Sequence, residues 1–198
     1  ASHGTAAITY YVEGQSTPTT CSVALAANSR TTVAVHDGPS AGNPCGLGRG
    51  KAHATKVETP DLPDGIVVER PVYFLYSGAS ISGIDGGHNV LGATSLIAPG
   101  GSVVLAEGYT GPGFEQYLTF QNPNGAAVTV TVTYLKADGT APVSKSLTIP
   151  ANQRKTVAGH NGSDPAGLGT GQEFSVRITV DSGGAVLAER VMYFRYAG

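Results

Sequence analysis

An internal repeat restricts the fold of this chain more than any other feature of its sequence. The pattern Glu-Arg-x-x-Tyr-Phe-x-Tyr begins at Glu69 and again at Glu189. Tyr10 aligns with Tyr134 at an offset of 124 positions, whereas Glu69 and Glu189 are 120 positions apart. The unit is therefore about 120 residues long with small loop deletions, and such self-similarity indicates a tandem architecture.

The two copies are unequal. Residues 103–124 have no counterpart in the first copy, and they contain two strand-like stretches separated by a Gly/Pro turn. The first copy thus begins about two strands late. A sheet that lacks strands exposes unpaired edges, and such edges invite pairing with another chain.

Period-2 alternation is the dominant local pattern. Apolar residues alternate with threonines in the second copy, and they are Val128, Val130, Val132 and Tyr134. Such alternation, interrupted by Gly-rich turns, predicts short strands with one buried face. We expect seven strands in the second copy, near residues 105, 118, 131, 146, 156, 176 and 191, and five in the first, near 8, 23, 33, 55 and 71.

This spacing predicts an all-β fold of two immunoglobulin-like antiparallel β-sandwich units in tandem. The predicted units are a partial sandwich at 1–78, a packed linker or strand-donating segment at 79–102, and a complete sandwich at 103–198. The middle segment is too apolar for a flexible linker, because it carries Val90, Leu91 and Ile97 between its glycines.

Composition narrows the possible partners. The formal net charge is -2 and charged residues make up 13% of the chain, with lysines and arginines scattered singly. This argues against nucleic-acid binding, which needs clustered basic residues. No apolar run is long enough to span a membrane. The first residues, from Ala1, are compatible with a mature terminus left after a leader is removed.

Two cysteines, Cys21 and Cys45, both lie in the first copy. Their even number favours a disulfide and an oxidising, extracellular compartment, with two free buried thiols as the alternative. The closed loop would contribute roughly 3 kcal/mol by the chain-entropy model.

Several short motifs together resemble a repeat family of large secreted and cell-surface bacterial proteins whose function is uncharacterised. The motifs are Ala-Glu-Gly-Tyr-Thr from Ala106, Gln-Asn-Pro from Gln121, Pro-Ala-Asn from Pro150, Ala-Glu-Arg from Ala188 and Gly-Gly-His-Asn from Gly86. The resemblance implies extracellular β-domains in tandem and carries over no catalytic residues. The first copy departs from the pattern because it lacks the Ala-Glu-Gly to Asn-Pro segment.

Charged residues inside the predicted strands are candidates for structural ion pairs: Glu69, Arg70, Glu107, Glu189 and Arg190. Neighbours in a strand face opposite ways, so one member of each Glu-Arg pair points inward and needs a partner. We expect Glu107 to pair with Arg190 in the second copy. A paired-carboxylate glycosidase site is the sharper alternative.

Catalytic and ligand motifs are otherwise weak. The chain has no nucleophile elbow and no zinc-type histidine spacing, so we predict no enzyme activity, no cofactor and no metal site. His36 and His160 are repeat-equivalent and beside turns, where an imidazole that bonds the backbone is expected. Asn161 begins a glycosylation sequon. The tyrosines of the repeated strand would stack on sugars if exposed, or pack between units.

The favoured functional hypothesis is an extracellular structural protein, a subunit of a surface filament, layer or adhesion stalk. Its first copy would be completed by a strand from the 79–102 segment or from a neighbouring subunit, in a head-to-tail homopolymer. The alternatives are a carbohydrate- or surface-binding module that contacts cell-surface glycans, a fragment of a longer array, and a genuine five-strand variant of the sandwich.

Overall fold

The computed structural model describes residues 3–195, and this part of the chain contains twelve β-strands and no helix. Tyr196, the last residue of the repeated pattern, lies outside the described residues. All strand pairs are antiparallel, so the predicted all-β class is confirmed. The strands are β1 (Gly4–Val12), β2 (Thr19–Leu25), β3 (His53–Glu58), β4 (Glu69–Tyr76), β5 (Ile84–Leu91), β6 (Ser102–Tyr109), β7 (Phe114–Asn122), β8 (Val128–Lys136), β9 (Val143–Ile149), β10 (Gln153–Ala158), β11 (Glu173–Ser182) and β12 (Leu187–Phe194).

Repeat two, formed by β6–β12, is a sandwich of two sheets. One sheet has the order β6-β11-β8-β9 and the other has the order β10-β7-β12. Alternate residues of the strands face a shared core, which includes Leu118, Phe120, Val132, Val157 and Ile178. All seven strands predicted for this unit are present, because each has both an apolar face and a partner strand.

Repeat one, which contains β1–β3, reproduces the central part of repeat two. Its sheet has the order β2-β1-β3. In repeat one Ile8 lies opposite Val57, as Val132 lies opposite Ile178 in repeat two. The loops also correspond, since Asn28 and Asn152 both have a left-handed backbone with φ of 54° and 55°. The shared register fixes which residues of the two repeats are equivalent.

A buried tyrosine anchors the same loop in each repeat. The Tyr10 hydroxyl donates to the Cys45 carbonyl at 2.7 Å, and the equivalent Tyr134 hydroxyl donates to the Ala166 carbonyl at 2.6 Å. Cys45 is also disulfide-bonded to Cys21 on β2, which confirms the predicted bridge. Only repeat one has this covalent link, and its loop is therefore tied down twice.

One predicted strand of repeat one is not formed. Residues 29–34 are not in a strand, although they align with β10 of repeat two. In repeat two β10 pairs with β7, and repeat one has no counterpart of β7. The prediction was wrong at this position because a strand needs a hydrogen-bonding partner as well as the right sequence.

The segment 79–102 contributes β5, which pairs with β4 along its whole length from Glu69↔Leu91 to Tyr76↔Ile84. This hairpin is a separate two-stranded sheet. No helix of the described chain is long and apolar enough to cross a membrane.

Candidate functional site

Repeat one leaves core side chains partly exposed where repeat two covers them. Val33 and Val57 are partly exposed, whereas their counterparts Val157 and Ile178 are 0% exposed. In repeat two the cover comes from β6 and β7, which have no counterpart in repeat one. We call the partly exposed set the open face of repeat one, and it comprises Val23, Leu25, Val33 and Val57.

The edge of the same sheet is also unpaired. Among the described strands β3 pairs only with β1, whereas its counterpart β11 pairs with both β8 and β6. In repeat two Val103 of β6 lies opposite Ile178, so an equivalent strand in repeat one would lie opposite Val57. The open face and the unpaired edge of β3 therefore lie on the side where a strand equivalent to β6 would bind.

The second feature of interest is the outer face of the sheet β10-β7-β12. Leu118 and Phe120 point into the core of repeat two, so the alternating residues of β7 point away from it. Three of these outer residues are nevertheless buried, namely Glu115, Thr119 and Gln121. Repeat one and its hairpin β4–β5 lie on this face, which is why a polar surface is buried.

Glu115 is the centre of this contact. Its side chain is 0% exposed and accepts hydrogen bonds from the Tyr76 hydroxyl and the Ser80 backbone amide. The Ser80 hydroxyl donates to Glu115 Oε1 at 2.8 Å, and the Ile81 amide donates to the same oxygen at 3.2 Å. Tyr117 donates to the other oxygen at 3.3 Å. The end of β4, the loop that follows it and β7 of repeat two thus converge on one carboxylate.

His160 closes the other side of this group. Its Nδ1 lies 3.0 Å from the Gln116 carbonyl, as predicted for an imidazole that bonds the backbone, and its Nε2 lies 3.7 Å from Glu115 Oε2. We call Tyr76, Ser80, Glu115, Tyr117 and His160 the Glu115 latch. The carbonyl only accepts, so Nδ1 donates to it and Nε2 faces the carboxylate.

The latch fixes the charge of Glu115. Burial raises the pKa of this carboxyl, but the hydrogen bonds from Tyr76 and Ser80 and the nearby His160 outweigh burial and hold the pKa at about 2. Burial and the hydrogen bond to Glu115 raise the pKa of the Tyr76 hydroxyl, which therefore remains a donor. Gly78 is essential to this packing, because a Cβ there would collide with the Glu115 carboxylate and the Tyr76 hydroxyl.

Aromatic rings extend the contact. Tyr76 stacks on Tyr193 of β12 with ring centroids 3.7 Å apart and planes within 4°. Phe74 meets the same Tyr193 edge to face at 5.1 Å. Tyr76 and Tyr193 of the repeated strand thus pack between the two repeats, which is one of the two uses expected from the sequence.

A second polar contact joins the turn after β1 to β10. Glu13 accepts from Arg154 at 2.9 Å, from the Thr156 hydroxyl at 2.6 Å and from the Thr156 amide at 3.1 Å. Both charged side chains are largely buried. Burial lowers the pKa of Arg154 below its ordinary value, and the nearby Glu13 carboxylate offsets only part of this effect. This ion pair was not predicted, because the two residues are far apart in sequence.

The ion-pair candidates from the sequence have different outcomes. Arg70 and Glu189 form a salt bridge at 3.2 Å, which connects the two repeats rather than closing one of them. Glu69 and Glu107 are exposed. The predicted pairing of Glu107 with Arg190 is wrong: within residues 3–195 Glu107 has no ionic partner, and Arg190 Nη1 is buried without a hydrogen bond.

A β-bulge explains the position of Glu107. The register between β11 and β6 shifts between Phe174↔Gly108 and Val176↔Leu105. Ala106 and Glu107 therefore oppose a single residue, and both become exposed. Arg190 lies in the other sheet, opposite Leu118, whose side chain faces the core. The side chain of Arg190 is therefore on the core side and does not face the exposed Glu107.

The orientation of β4 differs from that of its equivalent β12. Ala188 of β12 packs on the core of repeat two, so Arg190, Met192 and Phe194 lie on the core side of that strand. The equivalent residues of β4 instead face the neighbouring repeat, where Arg70 contacts Glu189. The described core of repeat one contains no residue of β4 or β5.

The opposite side of the hairpin is exposed and apolar. Tyr73 is 87% exposed and Leu75 is 75% exposed, and Leu91 of β5 lies on the same side. A Cβ at Gly87 would lie 3.1 Å from the Tyr73 ring, so the ring rests against the backbone of β5. Asp85 and Asn89 are exposed on this side.

The remaining candidates are isolated. Asn161 is exposed, and its side-chain oxygen accepts a hydrogen bond from the Ser163 amide at 2.9 Å. Glycosylation of Asn161 stays a prediction. His36 is exposed 3.4 Å from Asp37. Within residues 3–195 no group of three or more histidines, cysteines or acids is placed to hold a metal ion.

Sequence reasoning missed Glu115, Tyr117 and Glu13 as contact residues. One signal was present, since the outward positions of β7 carry large polar residues, Glu115, Tyr117 and Gln121, whereas those of β8 carry mostly threonines. Its partner segments could not be identified from that pattern alone.

No family model matches the chain, and the search of curated proteins returned no match. One similar solved structure is the Anabaena sensory rhodopsin transducer, at 22% identity and a TM-score of 0.40, over 46% of this chain and 84% of that chain. Another comes from work on promiscuous carbohydrate-binding modules of the β-sandwich superfamily, at 13% identity and a TM-score of 0.25, over 96% of this chain and 83% of that chain. Because these TM-scores are low, neither likeness carries an argument about function.

Proposed function

We propose that this chain is a non-enzymatic extracellular structural protein whose repeat one accepts extended strands from another subunit. Each subunit would be completed by the next, in a head-to-tail arrangement that builds a surface filament, layer or stalk. Contacts of this heterologous kind propagate when they do not close on themselves.

The observation that carries the proposal is the open face of repeat one together with the unpaired edge of β3. Val57 and Val33 are partly exposed and the outer edge of β3 is unpaired within the described strands, at the place where repeat two has β6 and β7. The segment 79–102 does not cover this face, because its strand β5 pairs with β4. Unpaired edges beside apolar surface bind added strands.

Repeat two defines the chemistry of the donor. Its β6 and β7 cover the core with alternating apolar residues, namely Val103, Leu105, Leu118 and Phe120. The donor is therefore an extended segment or hairpin with apolar residues at every second position, running antiparallel to β3. The disulfide supports an oxidising, extracellular location.

A peptide with the sequence of residues 102–122 tests the proposal directly. We expect the labelled peptide to bind the full chain in fluorescence anisotropy, because it carries the strands that repeat one lacks. The matched control peptide has Leu118→Asp and Phe120→Asp, which removes the apolar side while keeping the length. Equal binding of both peptides, or of neither, would contradict strand complementation.

A second candidate function is sugar binding by the exposed side of hairpin β4–β5. The observation in its favour is Tyr73, an 87% exposed ring braced against Gly87 with Asp85 and Asn89 beside it. Exposed aromatic rings offer an apolar body for stacking at a wet surface. Binding of the chain to a glycan array, lost in Tyr73→Ala and retained in Tyr109→Ala, would favour this function over the first.

A further inference from the structure

We propose that hairpin β4–β5 is a displaceable cover over repeat two. When donor strands fill repeat one, β4 returns to the sheet of its own repeat and uncovers the outer face of β10-β7-β12 for the hairpin of a second subunit. This proposal rests on the proposed function, because it requires that donor strands bind repeat one.

The first support is that the repeat-equivalent strands β4 and β12 are placed differently in this molecule. In β12 the side that carries Ala188 and Arg190 packs toward its own core. In β4 the equivalent side carries Arg70 and Tyr76, and these residues contact Glu189, Glu115 and Tyr193 of the other repeat. The sequence of β4 therefore suits two environments, its own core and the neighbouring sheet.

The second support is the free edge of β4. The sheet formed by β4 and β5 contains no third strand, so one edge of β4 is unpaired within the described chain. Its equivalent β12 uses one edge to pair with β7 from Leu187↔Gln121 to Phe194↔Phe114. A donor with a β7-type strand would supply this missing pairing without breaking the ladder between β4 and β5.

The third support is that polar and aromatic contacts hold the cover. They are the Glu115 latch, the Arg70–Glu189 pair at 3.2 Å, the stack of Tyr76 on Tyr193, and the bond from Arg195 to the Ser82 carbonyl at 3.1 Å. The outward side of the cover, with Tyr73 and Leu75, is exposed to solvent. Such contacts re-form with water when they open, unlike a packed apolar core.

The uncovered face would have a defined ligand. Glu115, Tyr117, Glu189 and Tyr193 already bind a hairpin of this sequence within the chain. The equivalent hairpin of a second copy carries the same Tyr76, Ser80 and Arg70. Binding of donor strands to repeat one of one subunit thereby exposes the docking face for the next subunit, which couples strand complementation to growth of the polymer.

The test measures the affinity of the 102–122 peptide for full-length variants with a weakened latch. Tyr76→Phe and Ser80→Ala each remove a hydroxyl that donates to Glu115. We expect them to bind the peptide roughly tenfold more tightly than the native chain, since opening the cover then costs less. The control Tyr134→Phe removes a buried hydroxyl bond inside repeat two, away from the cover, and should leave the affinity unchanged.

Hydrogen exchange provides the second readout. The amides of Ser80 and Ile81 are bonded to Glu115 and should exchange slowly in the free chain and rapidly at peptide saturation. Unchanged affinity in the latch variants, or protected Ser80 and Ile81 amides in the complex, would overturn the cover while leaving strand complementation intact. Failure of the peptide to bind any variant would overturn both.

Discussion

Glu115 shows how one buried carboxylate can hold two repeats together. Burial alone would raise its pKa, yet the donors from Tyr76, Ser80 and Tyr117 satisfy its oxygens. An unpaired buried charge would be far more costly than this satisfied one. The carboxylate therefore stabilises the contact only while it remains ionised.

Glu115→Gln should weaken the contact and remove its dependence on pH. The folded pKa of about 2 lies below the ordinary value of 4.5. The stabilisation is thus fully present above pH 4.5 and is lost as the pH falls from there toward 2. Urea unfolding across this range should show that loss in the native chain and a flatter profile in the variant.

The matched control is Glu107→Gln, which changes an exposed carboxylate on β6. It should retain the native pH profile. An equally flattened profile in both variants would show that Glu115 is not the group responsible.

Glu13→Ala should destabilise the chain by about 2–4 kcal/mol, because it leaves the largely buried Arg154 without its carboxylate partner. Glu58→Ala breaks the exposed pair with Lys56 and should cost at most about 1 kcal/mol. Denaturant titrations of both variants measure the difference. Equal losses would mean that the Glu13 contact behaves as an ordinary surface pair.

The residues of these contacts were hard to predict from the sequence. Tyr76, Glu115 and His160 come from separate segments, and nothing in their local patterns indicates that they meet. The two Glu-Arg pairs, which begin at Glu69 and Glu189, were recognised as needing partners, but the one partner proposed was Glu107 for Arg190, within repeat two. Sequence patterns predicted the need for pairing, and tertiary packing decided the pair.

At the level of elements, partner strands decided what formed. The alternation of Val128, Val130 and Val132 was sufficient to predict β8, since its neighbours were present in the chain. Residues 29–34 have a comparable sequence to β10 but lack a β7. Conversely, β5 formed despite Gly86 and Gly87, because β4 offered it a complete edge.

The disulfide should matter chiefly for repeat one. Cys21→Ser with Cys45→Ser removes a link across a separation of 24 residues and should cost roughly 3 kcal/mol by the chain-entropy model. We expect faster hydrogen exchange in β1–β3 and unchanged exchange in β8 and β11. Uniform acceleration across both repeats would show that the two units unfold together.

At the scale of the whole molecule, self-association should depend on the open face of repeat one and on the unpaired edge of β3. Concentrated protein should form species larger than a monomer in sedimentation velocity, and an excess of the 102–122 peptide should suppress them by occupying the same face. The Leu118→Asp, Phe120→Asp peptide should have no such effect. Assembly that is insensitive to either peptide would indicate an interface elsewhere on the molecule.

The dependence of β4 on Glu115 and Tyr193 also sets an order of folding. Repeat one precedes repeat two along the chain, yet its last strand rests on a sheet that exists only after β7, β10 and β12 have assembled. Burst-phase refolding experiments should therefore find protection in β8 and β11 before protection of the Ser80 amide. In a chain that emerges from a secretion channel amino end first, this hairpin would have no sheet to pack on until repeat two has folded. During that interval the hairpin could pair with strands of other chains.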